Sequence, residues 1–431
     1  MNIELLYQLF RQYPIVTTDS RNCPVNSLFF ALKGDKFDGN NYIMQALASG
    51  AIYAIGDKND LPENKQIIKV KSVLQTLQSL ANYHCKRMNA KIIAVTGTNG
   101  KTTTKELIAL ALSSKYKTLA TKENLNNHIG VPLTLLQLNT EHQFAVIEIG
   151  ASHLNDIKIL CQIAEPDYGI ITNVGKAHLN GFGSFDGVVK TKTELYDFIR
   201  ERGGVIFGNS DNLILRKWYN SLSVIYYGTN SSGSFIYGRR IASDPTLVLE
   251  WSRSNNKSKI VTHLVGDYNL ENVLASICVA SYFGVDDNRI NVAITNYIPI
   301  NNRSQNCKTK KNNLIVDAYN ANPDSMRVAL NNFFDLHISP KMVVLGEMKE
   351  LGKYSRKEHQ KVVDNLFGQK INKVFLIGKN FEKCLLPCSR WKWFPQTENC
   401  LEYLQATPIE GYHILIKGSR KNQLEKILPY L

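Results

Sequence analysis

The sequence predicts an α/β protein of three domains, the central one built on a parallel sheet. Three observations predict it. Short apolar runs alternate with stretches of helical period along the chain. Several of those runs end at Gly or Asp, residues that close a strand with a turn. The 431 residues also exceed a single core, since domains take about 100–200 residues each.

The first domain is placed at residues 1–88. Its strands are Leu28-Phe29-Phe30-Ala31-Leu32, closed by Lys33-Gly34-Asp35, and Ala51-Ile52-Tyr53-Ala54-Ile55, closed by Gly56-Asp57. Val73, Leu74, Leu77, Leu80 and Ala81 then fall at helical spacing. The central domain, 89–300, opens on Ile92-Ile93-Ala94-Val95, a run suited to a strand buried on both faces. Phe144-Ala145-Val146-Ile147 and Tyr168-Gly169-Ile170-Ile171 repeat the pattern. From 204 to 265 the β-rich runs include Val224-Ile225-Tyr226-Tyr227 and Thr246-Leu247-Val248-Leu249, which predicts an appended antiparallel sheet. The polar stretch from Pro299 through Asn301-Asn302 to Arg303 reads as a linker. In the third domain, 301–431, alternation resumes. Leu314-Ile315-Val316 ends at Asp317, Met342-Val343-Val344-Leu345 at Gly346, Val374-Phe375-Leu376-Ile377 at Gly378, and Ile414-Leu415-Ile416 at Lys417-Gly418.

Composition narrows the function. A hydrophobic content of 44% and a charged content of 20% are those of an ordinary globular chain. Net charge is +14, yet the densest basic cluster is only Lys308-Thr309-Lys310-Lys311. The charge therefore reads as a surface for small anions, and no nucleic-acid partner is expected. The eight cysteines contain no Cys-x-x-Cys pair, and Cys384 and Cys388 lack the further Cys/His pairs of a zinc site. They read as free thiols in a reducing compartment. Met1-Asn2-Ile3-Glu4 lacks a signal-peptide core, and no run of about 18 apolar residues exists. A cytoplasmic location without membrane insertion is expected.

Chemistry concentrates at Gly97-Thr98-Asn99-Gly100-Lys101-Thr102-Thr103. A strand leads in, and a helix from about Thr102 through Leu107 and Leu110 leads out. Glycines let the backbone curl so that N–H groups face phosphate oxygens, and the helix N-terminus adds its positive end. Lys101 supplies a point charge for the outer phosphates, and the Thr102 hydroxyl can ligate Mg²⁺. The loop is shorter than Gly-x-x-x-x-Gly-Lys-Ser/Thr, because Val95 stands at the first glycine. The competing reading, a glycine turn beside a lysine, accounts less well for the strand before it and the helix after it. Glu148 ends an apolar strand at the carboxyl edge of the sheet, where ligands bind. It can serve Mg²⁺ or cap the next helix. His178 follows the strand end Thr172-Asn173-Val174-Gly175, and by itself a lone histidine is usually structural.

Val95-Thr96-Gly97-Thr98-Asn99-Gly100-Lys101-Thr102-Thr103-Thr104-Lys105-Glu106 resembles the ATP loop of the Mur ligases. The resemblance covers all three domains and is closest to the branch that adds D-alanyl-D-alanine. Thr18-Asp19-Ser20-Arg21 and the segment at Lys33-Gly34 resemble the family's UDP-sugar site, which implies UDP-sugar contacts at Asp19, Ser20, Arg21 and Lys33. Asn124-Leu125-Asn126-Asn127-His128-Ile129-Gly130-Val131-Pro132 resembles the branch's stretch after the ATP helix. Glu148-Ile149-Gly150-Ala151 and Asn173-Val174-Gly175-Lys176-Ala177-His178 resemble the segments carrying a metal-binding glutamate and histidine. Lys192, in Lys190-Thr191-Lys192-Thr193-Glu194, stands at the family's carbamylated lysine. Asp317-Ala318-Tyr319-Asn320-Ala321-Asn322-Pro323-Asp324-Ser325-Met326 is similar to the branch's most diagnostic run. Leu345-Gly346-Glu347-Met348-Lys349-Glu350-Leu351-Gly352 and Lys417-Gly418-Ser419-Arg420 fit as well. Ser152, Lys349 and the missing glycine before Arg303 are departures.

The resemblance implies a small UDP-sugar domain, a central ATPase domain of the P-loop type and a Rossmann-like C-terminal domain. It implies ATP and two Mg²⁺ ions, with Thr102, Glu148, His178 and a carbamylated Lys192 as metal ligands. Asn272, Arg303 and Asp317 are implied nucleotide contacts, and Tyr319, Asn320 and Asn322 lie on the dipeptide side. Lys101, His178 and Lys192 would serve catalysis. The implied reaction joins D-Ala-D-Ala to UDP-MurNAc-tripeptide through an acyl phosphate, in a monomeric chain. A sister Mur ligase or a folylpolyglutamate-synthase-like ligase is the alternative within the superfamily. Asp19-Ser20-Arg21 favours a UDP-sugar over a folate. A nucleotide switch or nucleic-acid-binding protein would carry a full-length phosphate loop.

Overall fold

The structure is a computed structural model that describes residues 2–254, 256–300, 302–384 and 390–431. Asn301 of the expected linker and Cys388 lie outside the described residues. The chain forms two compact units. One holds Met1–Ala94, Tyr116–Ala151 and Asn155–Gly169; the other holds Val95–Lys115, Ser152–Leu154 and Ile170–Leu431.

In the first unit, strands Val16–Thr17, Ser27–Phe30, Ala51–Gly56 and Ile67–Lys69 form a sheet in chain order, each pair parallel. Phe29, Ala31, Ile43, Ala46 and Ala54 make its core. Helix Val73–Cys85 starts at Ser72, whose hydroxyl accepts the Gln75 N–H at 3.3 Å. It buries Val73, Leu77, Leu80 and Ala81 of the expected stripe, while Leu74 is half-buried. Thr118–Ala120 and Phe144–Glu148 pair in parallel in the same unit.

The second unit corrects the expected appended sheet. Val205–Asn209, Ser223–Gly228 and Ile236–Ser243 pair in parallel. Only from there does the sheet turn antiparallel, through Thr246–Arg253 and Asn256–Val265. Helix Leu213–Arg216 intervenes between the first two strands, and such a crossover returns the chain in the same direction. β-branched and aromatic runs read alike in either direction, so the sequence pattern does not separate the two. Leu264 then pairs with Gln305 across the expected linker. Gln305–Lys308 lies antiparallel to Asn313–Asp317, and beyond it the order is parallel: His413–Lys417, Lys341–Gly346, Lys373–Ile377, Trp391–Phe394.

These C-terminal strands are buried on both faces. Val343, Leu345 and Leu376 face Met326, Leu330 and Phe333 of helix Pro323–Asp335. Their neighbours Met342, Val344 and Phe375 face the opposite core with Leu404 and Ile427. Two-sided burial explains the continuous apolar runs and puts polar residues only at strand ends. Asp317 and Lys417 sit at two such ends. Among the described residues no helix is long and apolar enough to cross a membrane. Cys23, Cys85, Cys161, Cys278, Cys307, Cys384 and Cys400 are free thiols.

Candidate active site

The loop expected to hold phosphate is fixed by a second loop. Helix Lys101–Ser113 begins one residue earlier than expected, after Gly100 with φ 79°. A Cβ on Gly100 would lie 2.5 Å from Asn272 Oδ1, so glycine meets both a backbone and a packing demand there. The Thr98 N–H donates to the Asn173 carbonyl and the Asn99 N–H to Asn173 Oδ1, both at 2.9 Å. Thr98 Oγ1 accepts the Gly175 N–H at 2.9 Å, and Thr172 Oγ1 donates to the Asn99 carbonyl at 2.6 Å. Residues 98 and 99 thus frame the loop. The donors aimed outward for phosphate are those of the helix start, where first-turn N–H groups lie along the axis. Lys101 Nζ folds over this face, donating to the carbonyls of Gly97 and Thr98 at 2.8 and 3.0 Å.

Asn272 is buried behind the loop. Its Oδ1 accepts from Thr104 Oγ1 at 3.1 Å and its Nδ2 donates to Asn269 Oδ1 at 2.9 Å.

The expected metal ligands divide between the units. In the first, Glu148 ends strand Phe144–Glu148 and is buried. Its Oε1 accepts from Asn126 Nδ2 at 2.7 Å, so a neighbour helps to aim the carboxylate. In the second, Thr102 is buried in the first turn of its helix. His178 and Lys192 both reach Phe182. The imidazole meets that ring edge-on at 6.2 Å between centroids, and Lys192 Nζ lies 5.8 Å from its centre. Lys192 is buried on helix Phe185–Glu201. Among the described residues no cluster of three His, Cys, Asp or Glu side chains forms a metal cage. The expected donors need none, since Mg²⁺ bound with a nucleotide takes much of its oxygen from phosphate and water.

The third-domain run meets the phosphate loop. Asn322 caps helix Pro323–Asp335 in a reciprocal pair with Ser325, and its Nδ2 donates to Asn99 Oδ1 at 2.8 Å. Asp324 Oδ2 accepts the Lys176 N–H at 2.7 Å. Asp317 is paired with Lys417, which is 2% exposed in its side chain. Two guanidinium groups lie near the Tyr319 ring, Arg303 at 3.6 Å and Arg420 at 5.4 Å from its centre. Asn320 Oδ1 accepts the Ala321 N–H at 2.8 Å.

The loop after strand Lys341–Gly346 is also pinned. His359 Nε2 accepts the Met348 N–H at 2.9 Å, and its Nδ1 meets the Ser355 carbonyl at 2.7 Å. Nδ1 therefore carries the proton. Burial holds the His359 pKa below its ordinary value. The unfolded chain then takes up this proton first as pH falls, so the stability it contributes is full above about pH 6.5 and is lost below it, toward the lowered folded value. The denaturation midpoint is expected to drop more steeply with acid in the parent than in His359→Gln. Equal slopes in urea titrations across that range would refute this.

In the first unit, Asp19 and Arg21 form a two-pronged pair at 2.9 and 2.8 Å, and Asp19 also accepts the Arg21 N–H at 3.0 Å. Arg21 holds the Asp19 carboxyl down to about 2. Ser20 is half-buried beside them, and Lys33 pairs with Asp57 at 2.8 Å. Sequence reasoning missed the partners: Asn126 for Glu148, Lys417 for Asp317, Asp324 for Lys176 and Glu350 for His178. Each lay in a run already noted, but nothing in a run states which distant residue it meets.

Comparison with known proteins finds relatives over nearly the whole chain. The family model for the Mur ligase family catalytic domain matches residues 12–95, that for the Mur ligase middle domain residues 95–280, and that for the Mur ligase glutamate ligase domain residues 302–420. The UDP-N-acetylmuramoyl-tripeptide--D-alanyl-D-alanine ligase of Bacillus subtilis is 31% identical over 431 residues, covering 96% of this chain and 92% of its own. A crystal structure of MurF from Acinetobacter baumannii superposes with a TM-score of 0.87 at 28% identity, over 98% of this chain and 97% of that one. MurF ligase from Thermotoga maritima, in complex with ADP, gives 0.84 at 26% identity, over 96% of each chain.

Proposed function

We propose that this chain, which belongs to the Mur ligase family, joins D-alanyl-D-alanine to UDP-N-acetylmuramoyl-tripeptide at the expense of ATP. The observation that carries the reading is the meeting of Asn322 with Asn99. It brings the run expected on the dipeptide side onto the loop expected to hold ATP.

A carboxylate is a poor acyl donor because oxide would have to leave. Transfer of the γ-phosphoryl group to the tripeptide carboxylate turns that oxygen into part of a stable leaving group. The dipeptide amine then attacks the acyl phosphate and phosphate departs. Catalysis of such transfers is mostly positioning and charge neutralisation. Lys101 swings from the Gly97 and Thr98 carbonyls to the outer phosphates, while the helix start binds their oxygens. Arg303 is held against Tyr319, with its Nε buried and lacking a hydrogen-bond partner among the described residues. It serves the γ-phosphate. Asp317, paired with Lys417, would take the ribose, and Asn272, bonded to Asn269, would serve the base. Contacts of Asn322 and Asp324 with residues 99 and 176 keep water from the acyl phosphate.

Thr102 and Glu148 would hold one Mg²⁺, and His178 with a carbamate on Lys192 a second. Bound there, the ions neutralise phosphate charge. Carbamylation gives Lys192 the negative sign a metal ligand needs. Asp19, Ser20, Arg21 and Lys33 would hold the UDP-sugar in a domain at 1–88. Residues 89–300 would bind ATP, and 301–431 would bring the dipeptide with Tyr319, Asn320 and Asn322. The enzyme works as a cytoplasmic monomer in this reading, and the +14 charge suits two polyanionic substrates.

The test is phosphate release with ATP, Mg²⁺ and UDP-MurNAc-tripeptide, with D-Ala-D-Ala or single amino acids as acceptors. Release that depends on the dipeptide is expected. Release supported equally by a single amino acid, or by none, would sink the reading.

A further inference from the structure

Two carboxylates from the third-domain part of the chain engage the short segment at 176–178. Asp324 takes the Lys176 N–H at 2.7 Å, and Glu350 pairs with His178 Nδ1. The second contact is made by two residues in unusual backbone conformations. His178 has φ 49° and Glu350 φ 65°, both in the left-handed region that residues other than glycine seldom adopt. Such conformations persist where surrounding structure holds them. That structure is present. Met348 donates to His359, the Lys349 N–H donates to Ser419 Oγ at 3.2 Å, and Lys349 pairs with Glu347. Gly352 packs on Asn180, where an added Cβ would lie 3.0 Å from its Oδ1. The loop that carries Glu350 is thus fixed before it meets the histidine.

A carboxylate oxygen accepts, so the imidazole must place its proton on Nδ1. The lone pair then lies on Nε2, on the far side of the ring. Metal-bound histidines are commonly oriented by such a partner on the other ring nitrogen. We propose that Glu350 is a positioning residue that sets the tautomer and direction of His178, so that this ligand is ready only while the third-domain loop is docked. The inference rests on the metal role given to His178 above. It adds that Glu350, far away in sequence, couples docking to the metal site.

The experiment uses the full chain, with ¹⁵N-labelled histidine for spectroscopy and Mn²⁺ as the probe ion, titrated by electron paramagnetic resonance in the presence of ADP. The parent is expected to show the Nδ1–H tautomer at His178, identified by its loss in His178→Ala. Glu350→Ala should lose that tautomer and bind Mn²⁺ about 10–100-fold more weakly, the usual cost of removing such a partner. Glu350→Gln keeps an acceptor oxygen and should retain the tautomer with a smaller loss, which also covers the case of an unstable alanine variant. In a His178→Ala background, Glu350→Ala should add nothing. An Nε2–H tautomer in the parent, or unchanged Mn²⁺ affinity in Glu350→Ala beside a weakened His178→Ala, overturns the positioning role alone. Unchanged affinity in His178→Ala overturns the metal role as well, while dipeptide-dependent phosphate release would still stand.

Discussion

Lys101→Ala is expected to lower kcat/KM for dipeptide-dependent phosphate release by about 10²–10³-fold or more, the cost of removing one preorganised charge-stabilising donor. Lys101 Nζ rests 2.8 and 3.0 Å from two carbonyls of its own loop. A neutral carbonyl holds an ammonium less strongly than a phosphate anion does. A γ-phosphate that gains charge in the transition state offers a stronger partner. The loss should therefore fall mainly on kcat. Arginine at this position should restore only part, since its planar fork does not reproduce a compact point charge. The loop itself is framed by Asn173, Thr172 and Gly175 and should survive the change. Near-ultraviolet circular dichroism checks that point. A Lys101→Ala enzyme with parental activity would remove the loop assignment.

Lys192→Ala is expected to cost about as much, on the order of 10²-fold or more, for a different reason. The side chain is buried on helix Phe185–Glu201, its Nζ 5.8 Å from the Phe182 ring that His178 also touches. A carbamate there would supply oxygen donors at the distance from the backbone that a carboxylate side chain would not reach. Short carboxylates such as formate or acetate should then restore part of the activity of Lys192→Ala. Parent enzyme stripped of bicarbonate should lose activity and regain it when bicarbonate is returned. Activity equal to the parent, or a loss that no carboxylate repairs and bicarbonate does not affect, would end the carbamate role.

Much of the fold was legible because burial on both faces leaves a plain mark. Val343 and Leu345 face one core while Met342 and Val344 face the other, so the whole run must be apolar. Helix Val73–Cys85 was equally plain, since Val73, Leu77, Leu80 and Ala81 share one buried stripe. Strand direction between 204 and 265 was not legible. Ser223–Gly228 and Thr246–Arg253 carry the same β-forming residue types, yet one pairs in parallel and the other antiparallel. The difference lies in the connections rather than in the strands.

The site divides in the same way. The sequence by itself determined the strand–loop–helix segment proposed to hold phosphate, because a strand, Gly97, Gly100, Lys101 and a helix must be contiguous to cradle phosphate. It also determined which runs would carry Glu148, His178, Lys192 and Asp317. Only the tertiary structure decided what aims them. Asp317 meets Lys417 from 100 positions away, and Asp324 meets the Lys176 N–H from 148. Asn322 reaches Asn99 across 223 positions, and Glu350 reaches His178 from a different strand end. A local motif records the chemistry of one segment, since neighbouring residues fix its backbone. The partner of a buried charge is chosen by the packing of whole elements, and no short stretch of sequence contains that choice.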